Sequence, residues 1–390
     1  MILPITKLSL VGLLLFSFAA TASDYFPERF DWERIEPAAA GFDPARLQRA
    51  VELARSKAVT EPSDLHQVLL DTYTSREPDY QVLGPTSPRA GDSGMIVSGG
   101  KIVAEWGDIA RVDMTFSVVK SYLATLVALA LDRGLIDSLH DPVARYVTSG
   151  EFSSEHNQAI TWHHLLQQTS DWSGTLWETP DWADRPEGDD PAQWPNRPMH
   201  EPGTRFKYND VRINLLAYAL LQVFREPLPV VLREAIMEPI GASNTWRWHG
   251  YRNSWVELDG LRMQSVSGGG HFGGGMFIST ADHARFGLLM LKRGVWNGQR
   301  LVPDNWFDAL RQPTEDRPDY GYLWWLNTAQ ERLPQAPPNA YWAAGFGGNY
   351  IYIDECNDLV VVLRWIPDLA DVIEAILDAR QSAADCREAA

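Results

Sequence analysis

Two apolar runs around a glycine-rich turn, Met95-Ile96-Val97 and Lys101-Ile102-Val103-Ala104-Glu105-Trp106 on either side of Ser98-Gly99-Gly100, predict a β-hairpin. A second hairpin is expected where Tyr350-Ile351-Tyr352-Ile353 and Leu359-Val360-Val361-Val362-Leu363 flank the polar stretch Asp354 to Asp358. Elsewhere the apolar residues recur at helical spacing. Asp43-Pro44 supplies an N-cap and a proline at N1, and Leu47, Val51, Leu53 and Ala54 follow on a helix. From Ser117 to Leu131 the chain is apolar on nearly every face, which predicts a buried helix ending near Gly134. Shorter helices are expected over 160–166, 209–224 and 368–379.

Between 135 and 260 the pattern becomes helices separated by long Pro/Trp/Asp loops. The longest runs from Asp171 to Pro202 and carries Trp172, Trp177, Trp182 and Trp194. Loops of that length are usually functional, and the expectation is a lid or pocket wall that uses its aromatics to shape a binding site. A glycine-rich block follows, Ser267 to Gly275, and its Gly268-x-Gly270-x-x-Gly273 fits a dinucleotide fingerprint on spacing alone. No strand leads directly into it within a βαβ unit, so the block reads as close backbone packing and no nucleotide cofactor is expected.

Composition narrows the class. Lys7, the apolar stretch Leu8 to Ala20 and the small residues Ala20-Thr21-Ala22 describe a signal peptide over residues 1–22, so a secreted, periplasmic protein without a membrane anchor is expected. The rest is long enough for one large composite domain, with a sheet region over 23–134 and 261–390 and a helical region over 135–260. A net charge of −17 argues against nucleic acid as a partner. Two cysteines, Cys356 and Cys386, allow one disulfide after export, which would pin the C-terminal helix to a hairpin, with two unpaired thiols as the alternative; the sequence does not decide between them. Two cysteines do not make a zinc site, and His163 and His164 are adjacent rather than one turn apart, so no metal is expected.

The candidate chemistry lies in Ser117-Val118-Val119-Lys120. Residues three apart on a helix share a face, so the Lys120 amine can reach the Ser117 hydroxyl. Apolar surroundings and the positive end of the helix dipole both disfavour an ammonium there, and a neutral Lys120 able to take the serine proton is expected. The α/β-hydrolase elbow Gly-x-Ser-x-Gly is absent.

These residues resemble the penicillin-recognising serine hydrolases: class C β-lactamases, DD-peptidases, related esterases and 6-aminohexanoate-dimer hydrolases. The family's ordered motifs are matched by Ser117-x-x-Lys120, by Tyr208-Asn209-Asp210 after Pro202-Gly203-Thr204-Arg205-Phe206-Lys207, and by Ala343-Ala344-Gly345-Phe346 before a late strand. The resemblance implies an α+β, β-lactamase/penicillin-binding-protein-like fold, an antiparallel sheet flanked by helices plus a helical region. It implies Ser117 as nucleophile and Lys120 and Tyr208 sharing the proton traffic. The oxyanion would rest between the backbone N–H groups of Ser117 and Phe346, with Gly345 as the motif glycine. Two positions depart from the pattern. Asp210 stands where asparagine is usual, as a structural residue or one that recognises a cationic or amide group, and Ala343 stands where a lysine or histidine is usual. That cation helps bind the carboxylate of β-lactams in family members. The expected function is therefore a secreted serine hydrolase, without a cofactor, acting through an acyl-serine on a small ester or amide. A β-lactamase or DD-peptidase, and a binding or sensor protein without turnover, are the alternatives. The physiological substrate and the oligomeric state are not legible.

Overall fold

A computed structural model describes residues 24–60 and 62–381. The segment expected to be a signal peptide and Cys386, with the bridge considered to Cys356, lie outside the described residues.

A six-stranded antiparallel sheet forms the centre, in the order Trp325–Leu326, Tyr341–Gly345, Asn349–Asp354, Leu359–Arg364, Ser93–Ser98, Lys101–Trp106. Both expected hairpins are present in it, and its edge strands differ from its middle in a simple way. The central strands are apolar throughout because both faces are covered. Met95, Val97, Val360 and Val362 point into the larger core, whereas Ile96, Val361 and Leu363 point into the smaller one. The smaller core is closed by the helices Pro44–Ser56 and Leu369–Asp378, each started by an aspartate whose carboxylate accepts from the first turn. The larger core is closed by Thr280–Leu291, then Val119–Asp132 and Asp210–Phe224.

A second antiparallel sheet of four strands, Asp113–Met114, Gly275–Ile278, Arg247–Leu258 and Leu261–Val266, lies beside the first. Its strand Arg247–Leu258 falls inside the span read from sequence as helical. The register shifts between Gly250 and Trp255, so the period of two that would have revealed the strand is broken at its centre. The helix Leu65–Tyr73, capped by Asp64, was likewise not anticipated.

Arg364 ties the two sheets together where it matters for the site. It is buried on the Leu359–Arg364 strand and donates to the carbonyls of Met114 (2.8 Å) and Ile278 (2.9 Å) and to Asn349 Oδ1 (2.6 Å). The neighbouring Trp365 indole donates to Asp113 Oδ2 at 2.8 Å. The chain is thereby held on both sides of the turn that begins at Thr115.

Candidate active site

Phe116–Val118 is a single 3₁₀ turn leading into the helix Val119–Asp132. Phe116 enters it with φ of 49°, a left-handed conformation that a bulky residue adopts only when its surroundings enforce it. Those surroundings are visible. Thr115 Oγ1 meets His283 Nε2 at 2.6 Å, and the other ring nitrogen of His283 meets the Tyr122 hydroxyl at 2.9 Å. Burial pushes His283 well below the ordinary histidine value, so a neutral ring joins the turn to the helix behind it.

The turn leaves Ser117 half-buried above the buried Lys120. Lys120 Nζ donates to Ser117 Oγ at 2.8 Å and to Asp210 Oδ1 at 2.7 Å. This corrects the expectation of a neutral lysine. Burial is the largest single influence and favours the free amine, but the Asp210 carboxylate and Tyr208 together outweigh it and raise Lys120 above the ordinary lysine value. Burial would likewise favour a protonated Asp210, yet Lys120 and then Arg185 hold it well below the usual carboxylate range. The motif position occupied by aspartate is therefore the counter-charge of the motif lysine.

Asp210 opens the helix Asp210–Phe224, and Asn209 before it is the N-cap, accepting from Arg212 N at 3.0 Å. Asn209 also donates to the Asp181 carbonyl (2.7 Å) and takes the Gln168 side chain on its own N–H (2.9 Å). Tyr208 is positioned by that cap. Its ring covers Lys120 Nζ, 4.7 Å from the centroid, and stacks on Trp325 at 6.3 Å. Gly345 comes against the Phe116–Val118 turn from the sheet edge. A Cβ there would lie 2.2 Å from the Thr115 carbonyl oxygen and 3.2 Å from Val118 N, so only glycine permits the approach. Phe346, next in the chain, meets Phe116 edge-on at 5.2 Å. All six residues singled out from sequence, Ser117, Lys120, Tyr208, Asp210, Gly345 and Phe346, thus converge on one place. Ala343 is buried in the larger core.

The glycine-rich block proves to be close packing onto this centre. A Cβ at Gly269 would lie 1.6 Å from Asp210 Oδ1 and 2.2 Å from Lys120 Nζ.

The long loop walls a cavity, which its Trp177 and Trp182 line together with Tyr80 and Phe272. It is pinned by buried ion pairs, Arg197 to Asp171 (2.7 Å) and Asp181 (2.8 Å), and Arg212 to the same two carboxylates (2.8 and 3.2 Å). Trp172 is buried and Trp177 packs edge-on against Tyr218 and Tyr251. What the loop brings to the Lys120–Asp210 pair is the dipeptide Asp184-Arg185. The Asp184 carboxylate accepts from Asp210 N, at the positive end of that helix. Arg185 Nη1 donates to Asp184 and to Asp210 Oδ2 (2.9 Å), and its guanidinium lies 5.2 Å from the Tyr208 ring centroid. Sequence reasoning passed over both residues, because an Asp-Arg pair in an acidic loop carries no local signal.

His271 and Glu77 complete the cluster, with His271 Nε2 2.7 Å from Glu77 Oε2. Glu77, Asp184 and His271 are spaced as metal ligands, their ligand atoms all within 4.8 Å of one another. Arg185 donates to all three, through its backbone N to Glu77 (3.2 Å), Nη1 to Asp184 and Nη2 to His271 Nδ1 (3.3 Å). A guanidinium is the cation those acceptors face.

Comparison with known proteins matches residues 88–365 to the family model described as beta-lactamase. The 6-aminohexanoate-dimer hydrolase of Paenarthrobacter ureafaciens is 26% identical over 335 residues, covering 76% of this chain and 77% of the relative. Among solved structures, a beta-lactamase from Mycobacterium bovis superposes with a TM-score of 0.53 at 19% identity, covering 75% of this chain and 95% of the other. A family VIII carboxylesterase does so with a TM-score of 0.54 at 18% identity, covering 75% and 93%. With the fold, the three ordered motifs and a family match over most of its length in agreement, this chain is a hydrolase of the beta-lactamase family, among the penicillin-recognising serine hydrolases.

Proposed function

We propose that the protein is a secreted serine hydrolase that cleaves a small ester or amide through an acyl intermediate on Ser117. One observation carries the reading: Ser117 Oγ lies 2.8 Å from a buried lysine that is itself paired with a buried carboxylate. A hydrogen bond from an ammonium stabilises negative charge developing on the serine oxygen, and it does so most strongly where water is excluded.

In this reading Ser117 Oγ attacks the substrate carbonyl, while Lys120 holds the developing alkoxide. Tyr208, whose ring lies against Lys120, takes the serine proton and passes one to the departing oxygen or nitrogen. The N–H groups of Ser117 and Phe346 receive the carbonyl oxygen as it becomes an oxyanion. Water then attacks the acyl-serine, its proton returning through Tyr208 to Ser117. The buried Ala343 supports ester or amide substrates over β-lactams, since no cation is carried at the position that meets the β-lactam carboxylate in relatives.

The test is hydrolysis of p-nitrophenyl butyrate by the mature protein beside Ser117→Ala, with mass spectrometry after a fluorophosphonate probe. Turnover and a probe adduct on Ser117, both lost in the variant, are expected. Turnover retained in Ser117→Ala would sink the mechanism. Export is tested by N-terminal sequencing of periplasmic protein, which should begin near Ser23.

A further inference from the structure

Arg185 belongs to none of the three motifs, yet it takes the carboxylate oxygen of Asp210 that Lys120 leaves free. Lys120 Nζ is bound to Oδ1 at 2.7 Å and Arg185 Nη1 to Oδ2 at 2.9 Å. Arg185 is itself fixed from a third segment. Glu77 accepts its backbone N–H and also faces His271, whose Nδ1 receives Arg185 Nη2. Glu77 is 4% exposed and His271 is 3% exposed, so this support is built into the core and not laid on the surface. Glu77 also precedes residue 88, where the match to the family begins.

We propose that Arg185 is a positioning residue that divides Asp210 with Lys120, and that the pre-family segment around Glu77, acting through His271, holds it there. Resting on the Ser117 reading above, the proposal makes the N-terminal segment part of the catalytic assembly. Its physical content is a balance. Asp210 alone would bind the Lys120 ammonium with its whole charge, whereas a guanidinium on the other oxygen draws part of that charge away. A second positive charge near the nucleophile also favours whichever deprotonated form the reaction needs. The groups facing Lys120 are the hydroxyls of Ser117 and Tyr208, the Asp210 carboxylate and, beyond it, Arg185; the Gly269 segment contributes only backbone. Those facing Arg185 are Asp184, Asp210, Glu77, His271 and the phenols of Tyr73 and Tyr208.

The experiment is the rate of Ser117 acylation by a fluorophosphonate probe, followed across pH for the full mature chain, Arg185→Gln, Arg185→Lys and Glu77→Gln, with thermal melts of each. In Arg185→Gln the acid limb should move to higher pH by about one unit, an approximately tenfold loss of rate below it. Arg185→Lys should restore the wild-type limb, and Glu77→Gln should move it in the same direction by less. If Arg185→Gln does not fold, Glu77→Gln carries the test, because it keeps the Arg185 side chain and loosens only its support; a Glu77→Gln limb unchanged from wild type then overturns the proposal. An Arg185→Gln profile unchanged in shape, whether scaled down uniformly or not at all, overturns the proposal while leaving Ser117 as nucleophile. A wild-type protein that is not labelled on Ser117 overturns both.

Discussion

Lys120 and Asp210 form an ion pair at 2.7 Å in which each side chain is 1% exposed. Two charges so placed are costly to bury and costlier to separate, so each fixes the other's protonation state. The pair explains how a helix buried on nearly every face carries a lysine at its start. It also sets the charge of the group that touches Ser117.

Replacing Asp210 by asparagine removes the counter-charge while keeping the shape. Lys120 is then buried without a partner carboxylate, and its proton affinity falls. Asp210→Asn should lower stability by about 3 kcal/mol. It should also move the basic limb of ester hydrolysis, where Lys120 loses the proton that holds the alkoxide, to lower pH. Urea unfolding and a pH–rate profile read the two effects separately, and a limb that moves upward would contradict the assigned pairing.

Gly269→Ala should leave the secondary structure intact and abolish most of the activity. The added methyl overlaps Asp210 Oδ1 and Lys120 Nζ, so the pair must shift by about an ångström. A displacement of that size in reacting groups costs about 100-fold in rate. Circular dichroism with ester hydrolysis checks this, and wild-type activity in the variant would mean that the glycine segment does not lie on the pair.

His283 predicts a stability change with pH. Its folded-state value is depressed by burial, so the unfolded chain binds a proton more readily. The contribution of the neutral ring is complete above its ordinary value of 6.5 and is lost as pH falls below it. The loss should approach about 1.4 kcal/mol per pH unit for this one group. Denaturant unfolding at pH 7 and pH 5.5 should show the fall, and His283→Gln, which retains one donor and one acceptor, should flatten it.

Arg364→Met should destabilise the protein by at least about 3 kcal/mol, since the carbonyls of Met114 and Ile278 and the Asn349 side chain lose their buried donor. Because Met114 leads into the turn that carries Ser117, the proposed nucleophile, activity should fall at temperatures where the variant remains folded. Thermal melts and hydrolysis rates at 20–25 °C distinguish the two losses; full activity in a destabilised variant would show that the turn is held from elsewhere.

Local pattern was legible where the structure is locally decided. The hairpins at 93–106 and 349–364 and the helices capped by Asp43, Thr161, Asn209 and Asp368 follow from turn residues, caps and apolar periodicity. The bulged strand Arg247–Leu258 was not legible, because a register shift hides its alternation. The role of Gly269 was half legible: a glycine run implies close approach, but not what is approached.

The residues of Ser117-x-x-Lys120, Tyr208-x-Asp210 and Gly345-Phe346, taken in their order along the chain, carried the resemblance to the family and marked the candidate site. The charge state of that chemistry was decided only in three dimensions. Lys120 reads from sequence as a lysine in apolar surroundings, and therefore neutral; the fold sets Asp210, ninety positions later, on its amine and brings Arg185 and Glu77 from two further segments to balance the pair. Burial is a property of local composition and can be read along the chain, but Coulomb interaction depends on distance in space, which tertiary packing alone sets.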